Sequence, residues 1–177
     1  MTEVKKILVL FFFSLGLTLK SQTPFLYINQ DIGSSQFYKA ELLLDSCTEA
    51  SYFLDSVTYY KALLTLKKGD IKQAKSISMD LKRNYPQFKE VAYVNGLIYF
   101  VEGKYQKSIS EFNKTIKDNP KHIKAFYNRG QAKGFLEDHW SAIKDLTTCI
   151  ELAPNFALAY YSRASWYDYL GKKTEAK

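Results

Sequence analysis

The sequence predicts an all-α protein: a solenoid of antiparallel helix pairs. Three observations lead there. Pro86, Pro120 and Pro154 stand 34 residues apart. Upstream of each, on the same beat, lies a small residue: Ala74, Ser108 and Ala142. A second small position repeats at Ala62, Gly96, Gly130 and Ala164, with aromatics beside it at Tyr59, Tyr93, Phe126, Tyr127, Tyr160 and Tyr161. A fixed period of this length marks one supersecondary unit repeated along the chain, each copy burying the apolar face of its neighbour.

The elements follow in order. Lys5-Lys6 precedes an apolar run from Ile7 to Leu19. That run falls short of the roughly 20 residues that cross a bilayer and is flanked like a secretory signal. Residues 1–21 are therefore expected to be a signal peptide cut after Ser21, with Leu19 an imperfect residue before the cut and an uncleaved anchor as the alternative. A secreted or periplasmic protein of a bacterial envelope follows, with no membrane span after cleavage. Residues 22–34 read as a lead-in linker, rich in turn formers. Ser34 or Ser35 could cap the first helix, whose stripe is Phe37, Ala40, Leu43, Leu44 and Cys47. On the 34-residue register this helix is the second half of a unit whose first half is missing or diverged.

The repeat domain spans 35–177, with full units at 55–88, 89–122 and 123–156 and a partial one at 157–177. Each full unit reads as two helices joined by a short turn, at Gly69-Asp70, Gly103-Lys104 and Glu137-Asp138. So short a turn makes the helices antiparallel neighbours. Proline, lacking an N–H and clashing with the preceding turn, ends the second helix. The small positions let the paired helices approach, and a larger side chain there would cost roughly 1–3 kcal/mol. Tyr99, Tyr105, Ile109, Phe112 and Ile116 in the second unit, and Trp140, Ile143, Leu146 and Ile150 in the third, are expected to fill the core.

These positions together resemble the tetratricopeptide repeat family. The likeness covers 55–177 well and is strongest over Ala125–Pro154, which carries the family's aromatic at Phe126, its glycine at Gly130, its alanine at Ala142, its small residue at Cys149 and its proline at Pro154. Departures are Thr58 for an aromatic, Ala62 for glycine, Lys133 for tyrosine and Glu137 for glycine. The resemblance implies a right-handed superhelix whose concave groove, lined mainly by the first helix of each pair, holds a peptide or a partner's helix.

The chemistry is sparse. A net charge of +7 without a dense basic stripe argues against nucleic acid. Signal cleavage would remove Lys5, Lys6 and Lys20 against only Glu3, lowering the excess further. His122 is expected on the surface of an inter-unit turn, and His139 in packing. Two histidines and two cysteines far apart make no metal site, and no cofactor or catalytic constellation is expected. Cys47 and Cys149 lie three periods apart, beyond the reach of a disulfide, and are expected to stay free.

The expected function is a non-enzymatic interaction module for a protein or peptide. Its candidate groove residues are Tyr59, Tyr93, Leu97, Lys124, Tyr127, Asn128, Gln131 and Tyr161, beside Tyr60, Leu63, Val94, Phe100, Gly134, Leu158, Ser162, Ser165 and Asp168. The alternative is a structural subunit or assembly factor of an envelope complex. A subfamily of these repeats grips C-terminal carboxylates with a lysine–asparagine–arginine clamp. In the two registers tried, only Lys124 or only Asn128 fits it, which argues against that use. Arg129 and Arg163 are expected to anchor adjacent units through carboxylates such as Asp145. The last helix carries Tyr160, Ala164, Tyr167 and Leu170 on one flank. That flank predicts weak self-association or docking on a partner; a wet edge on a monomer and a truncated chain are the alternatives.

Overall fold

The computed structural model describes residues 37–49 and 54–171. The expectations for the signal, the linker and the cap of the first helix lie outside these residues, as does the Cys47 side chain. The described residues form eight helices and no strands: α1 Phe37–Glu49, α2 Leu54–Lys67, α3 Ile71–Asn84, α4 Val91–Val101, α5 Tyr105–Asp118, α6 Ile123–Phe135, α7 His139–Leu152 and α8 Ala157–Tyr169. The chain divides into two compact units between Phe88 and Lys89.

The proline beat works as sequence reasoning expects. α3, α5 and α7 each stop just ahead of Pro86, Pro120 and Pro154, because the residue before a proline is pushed out of helical geometry. The turns within the pairs reverse through a left-handed residue: Gly69 at φ 88°, Gly103 at φ 71° and, without glycine's freedom, Glu137 at φ 63°. Asp70 and Asp138 then start α3 and α7 by accepting the backbone N–H of Gln73 at 2.9 Å and of Ser141 at 3.3 Å.

In the first unit α1 packs on α2 and α2 on α3. Ala40, Leu44, Val57 and Leu64 form its core, with Phe37, Leu43, Tyr60 and Leu63 against them. Ala62 and Ala74 are fully buried where α2 and α3 approach. A cleft of about 730 Å³ opens among these helices, lined by Glu41, Asp45, Lys61 and Lys68. Its charges answer one another, Lys68 reaching Glu41 at 2.6 Å and Lys61 lying 3.7 Å from Asp45.

In the second unit α4 pairs with α5 and α6 with α7; α5 also packs on α6, and α7 on α8. The small positions are where the pairs close. A methyl placed on Gly96 would stand 2.5 Å from the Phe112 ring, and Ser108 donates its hydroxyl to the Gly96 carbonyl at 2.8 Å. A methyl on Gly130 would meet the Ala142 carbonyl at 3.2 Å. Phe112, Leu146, Ala142, Ser108 and Cys149 are all fully buried. Burial pushes the Cys149 thiol up to about 12, aided by Asp145 nearby.

Trp140 departs from its expected core place. It is 55% exposed and lies edge-on to Tyr167, ring centroids 6.4 Å apart. The turn-side aromatic slot is filled instead by His139, which is buried, stacks on Trp166 at 5.2 Å and meets Tyr169 at 4.6 Å. On α8 the flank expected to be open is mixed: Tyr160 is exposed, while Ala164, Tyr167 and Leu170 are half-buried.

Candidate partner-binding face

The first helices of the pairs in the second unit, α4, α6 and α8, run as neighbours along one side. The residues expected to line a groove there do two different jobs. Tyr93 is 6% exposed and Val94 fully buried. Tyr93 packs on Phe112 and His122, and its hydroxyl accepts from Asn128 Nδ2 at 3.2 Å. Burial pushes this phenol well above its ordinary range, so it stays neutral. Tyr93 and Val94 are joints between helices rather than free contact area.

The joint recurs one repeat later. The Tyr127 hydroxyl lies 3.4 Å from Ser162 Oγ, at the same sequence separation as Tyr93 and Asn128. Each of these tyrosines also meets an aromatic in the loop closing its own repeat: Tyr93 with His122 at 4.6 Å and Tyr127 with Phe156 at 5.2 Å. In the first unit Tyr59 meets Phe88 in the same way, at 5.7 Å. Phe88, His122 and Phe156 thus form a further 34-residue series. The sequence holds that signal, but a lone histidine in a turn reads as a solvated surface residue and hides it. His122 is instead half-buried, and its Nδ1 accepts the Ala125 N–H at 3.0 Å, capping α6.

The remaining candidates differ in exposure. Lys124 and Tyr161 are exposed, Tyr161 by 75%, and Leu158 beside it by 57%. Leu97, Tyr127, Asn128 and Gln131 are half-buried. Gln131 donates to the Tyr127 hydroxyl over 3.4 Å, while its buried Oε1 has no protein partner. Ser162 is buried, and Gly134 is roofed by Trp166, to which a methyl there would come within 2.2 Å. Neither lines an open groove. Tyr59 belongs to the first unit, where its ring lies edge-on to Tyr60 at 5.0 Å.

On the opposite flank of α6, Arg129 grips Asp145 of its own pair with two bonds, 2.8 Å and 2.6 Å, and reaches back to Asn113 of the preceding pair at 2.7 Å. The carboxylate is therefore within the pair, and the tie to the preceding pair is the Asn113 amide. Arg163 repeats that backward reach to Thr147 at 3.2 Å. Lys133 adds a second cation on Asp145 at 2.9 Å. Among the described residues no cluster of histidine, cysteine and acidic groups could hold a metal ion. None of the helices there is long and apolar enough to cross a membrane.

Comparison with known proteins agrees with this geometry. The tetratricopeptide repeat family matches residues 123–156, the α6–α7 pair with its closing loop. Hsp70-Hsp90 organizing protein 3 of Arabidopsis thaliana is 29% identical over 111 residues, covering 61% of this chain and 20% of that protein. Hsp70-Hsp90 organizing protein 2 of the same plant is 30% identical over 110 residues, covering 58% and 19%. The chain thus spans about a fifth of the length of these curated relatives. Among solved structures, MamA from Desulfovibrio magneticus RS-1 superposes with a TM-score of 0.64 at 13% identity, covering 90% of each chain. A second MamA structure gives 0.62 at 20% identity, covering 88% of this chain and 86% of the other. At such identities the likeness speaks for the fold.

Proposed function

We propose, for this chain of tetratricopeptide repeats, that it is a non-enzymatic interaction module that takes a protein or peptide partner on the face of α4, α6 and α8. The observation that carries this is the division of labour on that face. Tyr93 and Asn128 bond each other, while Lys124, Tyr161 and Leu158 stand toward solvent and Gln131 Oε1 has no protein partner. Exposed tyrosine on a rigid helix offers large contact area at small entropic cost. The partners in the names of its plant relatives are not carried over, since the lysine–asparagine–arginine pattern is incomplete and Asn128 is engaged by Tyr93. Delivery to the bacterial envelope, by the signal-like segment 1–21, belongs to the same reading.

The test pairs the parent with a Lys124→Ala, Tyr161→Ser double variant in affinity capture from envelope extract, followed by quantitative mass spectrometry. Both substitutions touch exposed side chains, so thermal unfolding stays within about 0.5 kcal/mol of the parent. The expected result is a partner enriched by the parent and lost with the variant. Equal enrichment by the two proteins would remove this face as the binding surface.

A further inference from the structure

The three loops that close a repeat put an aromatic ring against the tyrosine of the repeat's first helix, and two of those rings are phenylalanine: Phe88 on Tyr59 and Phe156 on Tyr127. The third is His122 on Tyr93. His122 also does what phenylalanine cannot. It occupies the N-cap of α6, where its unprotonated Nδ1 accepts the Ala125 N–H at 3.0 Å, a donor it shares with its own backbone carbonyl. At the corresponding position Phe156 starts α8 with no side-chain cap. We propose that His122 makes the joint between the 89–122 and 123–156 repeats a proton-sensitive one, capped and closed when the ring is neutral and loosened when it is protonated.

The reasoning is local. An imidazolium has no acceptor, so protonation at Nδ1 sets two N–H donors against each other across the cap. It also places a cation at a helix N-terminus, where the partial charge is already positive. The charged groups acting on the ring are Lys124 on α6, which opposes protonation, and Glu90 at the start of α4, which favours it. From α4 the ring itself meets Tyr93, held neutral by burial. The closing loop, after α5, contributes the Asn119 carbonyl, which accepts the His122 backbone N–H at 3.1 Å. Burial is the largest influence and holds the imidazole below its ordinary 6.5, outweighing the His122 backbone carbonyl, which favours the protonated ring. The sign follows: the unfolded chain takes up the proton first as pH falls through 6.5. The stability contributed by this joint is full above that value and is lost toward the lower folded value. The residues that lose support, Lys124 and Asn128 in the first turns of α6, belong to the face proposed for partner binding.

The experiment follows two groups of the full chain by NMR between about pH 7.5 and about pH 5: the His122 ring and the Ala125 amide. The expected result is that the ring titrates below 6.5 and that protection of the Ala125 amide from exchange, corrected for its intrinsic rate, falls about fivefold or more along the same curve. His122→Asn keeps a cap that cannot titrate, and there the protection factor stays level. His122→Phe copies the sister joints and shows low protection at every pH. An Ala125 amide that ignores the ring's titration in the parent, or that tracks pH equally in His122→Asn, overturns the proposal. The parent measurement stands alone should either variant fold poorly.

Discussion

In the pair α4–α5 the helices meet where Gly96 leaves room for the Phe112 ring and Ser108 bonds the glycine's own carbonyl. In α6–α7 the glycine contact is looser, and the closure carries a buried ionic knot instead: Asp145, 3% exposed, between Arg129 and Lys133. The two pairs share one register and nearly one backbone grammar. They differ in what the small position is asked to bear. A steric closure has no charge to desolvate but leaves no room for added volume. An ionic closure tolerates a little extra volume but fails when one member is removed, because the others stay desolvated and unpaired.

The largest effect should come from Asp145. Asp145→Ala leaves Arg129 and Lys133 without their shared acceptor and is expected to destabilise by about 3 kcal/mol. Asp145→Asn should recover only part of that, since it restores one acceptor without the charge. Urea unfolding of the two variants checks both values. A loss under about 1 kcal/mol for the alanine variant would mean that the cations reach solvent freely and that the knot adds little. The α4–α5 pair carries other residues at these positions. There the register sets Glu111 where α7 has Asp145, and Asn95 where α6 has Arg129. Glu111 forms an ion pair with Lys114 on its own helix.

The next effect separates the glycines. Gly96→Ala must displace an aromatic ring and is expected to cost about 1–2 kcal/mol, after the roughly 1 kcal/mol that alanine returns in helix propensity. Gly130→Ala meets tight contacts, 3.2 Å to the Ala142 carbonyl and 3.3 Å to Asp145 Cβ, that yield by a few tenths of an ångström, and it should stay within about 1 kcal/mol of the parent. Gly130→Leu, by contrast, drives a full side chain toward the Ala142 carbonyl and should cost several times as much. Paired thermal melts decide the order. Equal losses for the two alanine variants would show that the Phe112 ring moves aside at no cost.

These pairs also show what a sequence can disclose. The register was legible because prolines and small residues do the same job at every repeat and accept few substitutes: Pro86, Pro120 and Pro154 stop helices, and Ala74, Ser108 and Ala142 are all fully buried. The candidate face was legible only in part. Periodicity gives the side of a helix on which Tyr93 sits, but not that Asn128 and His122 would take up its hydroxyl and its ring. Whether a tyrosine is a spacer or a contact depends on the helix next door, and that distance is not written in the spacing. Trp140 escapes the pattern for a related reason. It and His139 are adjacent on the turn, and a one-residue shift around the helix decides which enters the core.

The smallest effect lies in the turns. Gly103 carries the left-handed turn of α4–α5 at φ 71°, and Glu137 carries that of α6–α7 at φ 63°. A side chain in this conformation costs roughly 1–2 kcal/mol, because Cβ crowds the following carbonyl. Glycine escapes that cost but loses more freedom on folding, by roughly 0.5–1 kcal/mol. Glu137→Gly is therefore expected to stabilise the protein by about 0.5–1 kcal/mol, and Gly103→Ala to destabilise it by a similar amount. A methyl at Gly103 would touch nothing within 4 Å, so any loss there is conformational and not steric. Denaturant midpoints moving in opposite directions would assign the difference between the two turns to backbone geometry. A Glu137→Gly variant less stable than the parent would show instead that the Glu137 side chain is engaged in holding the start of α7.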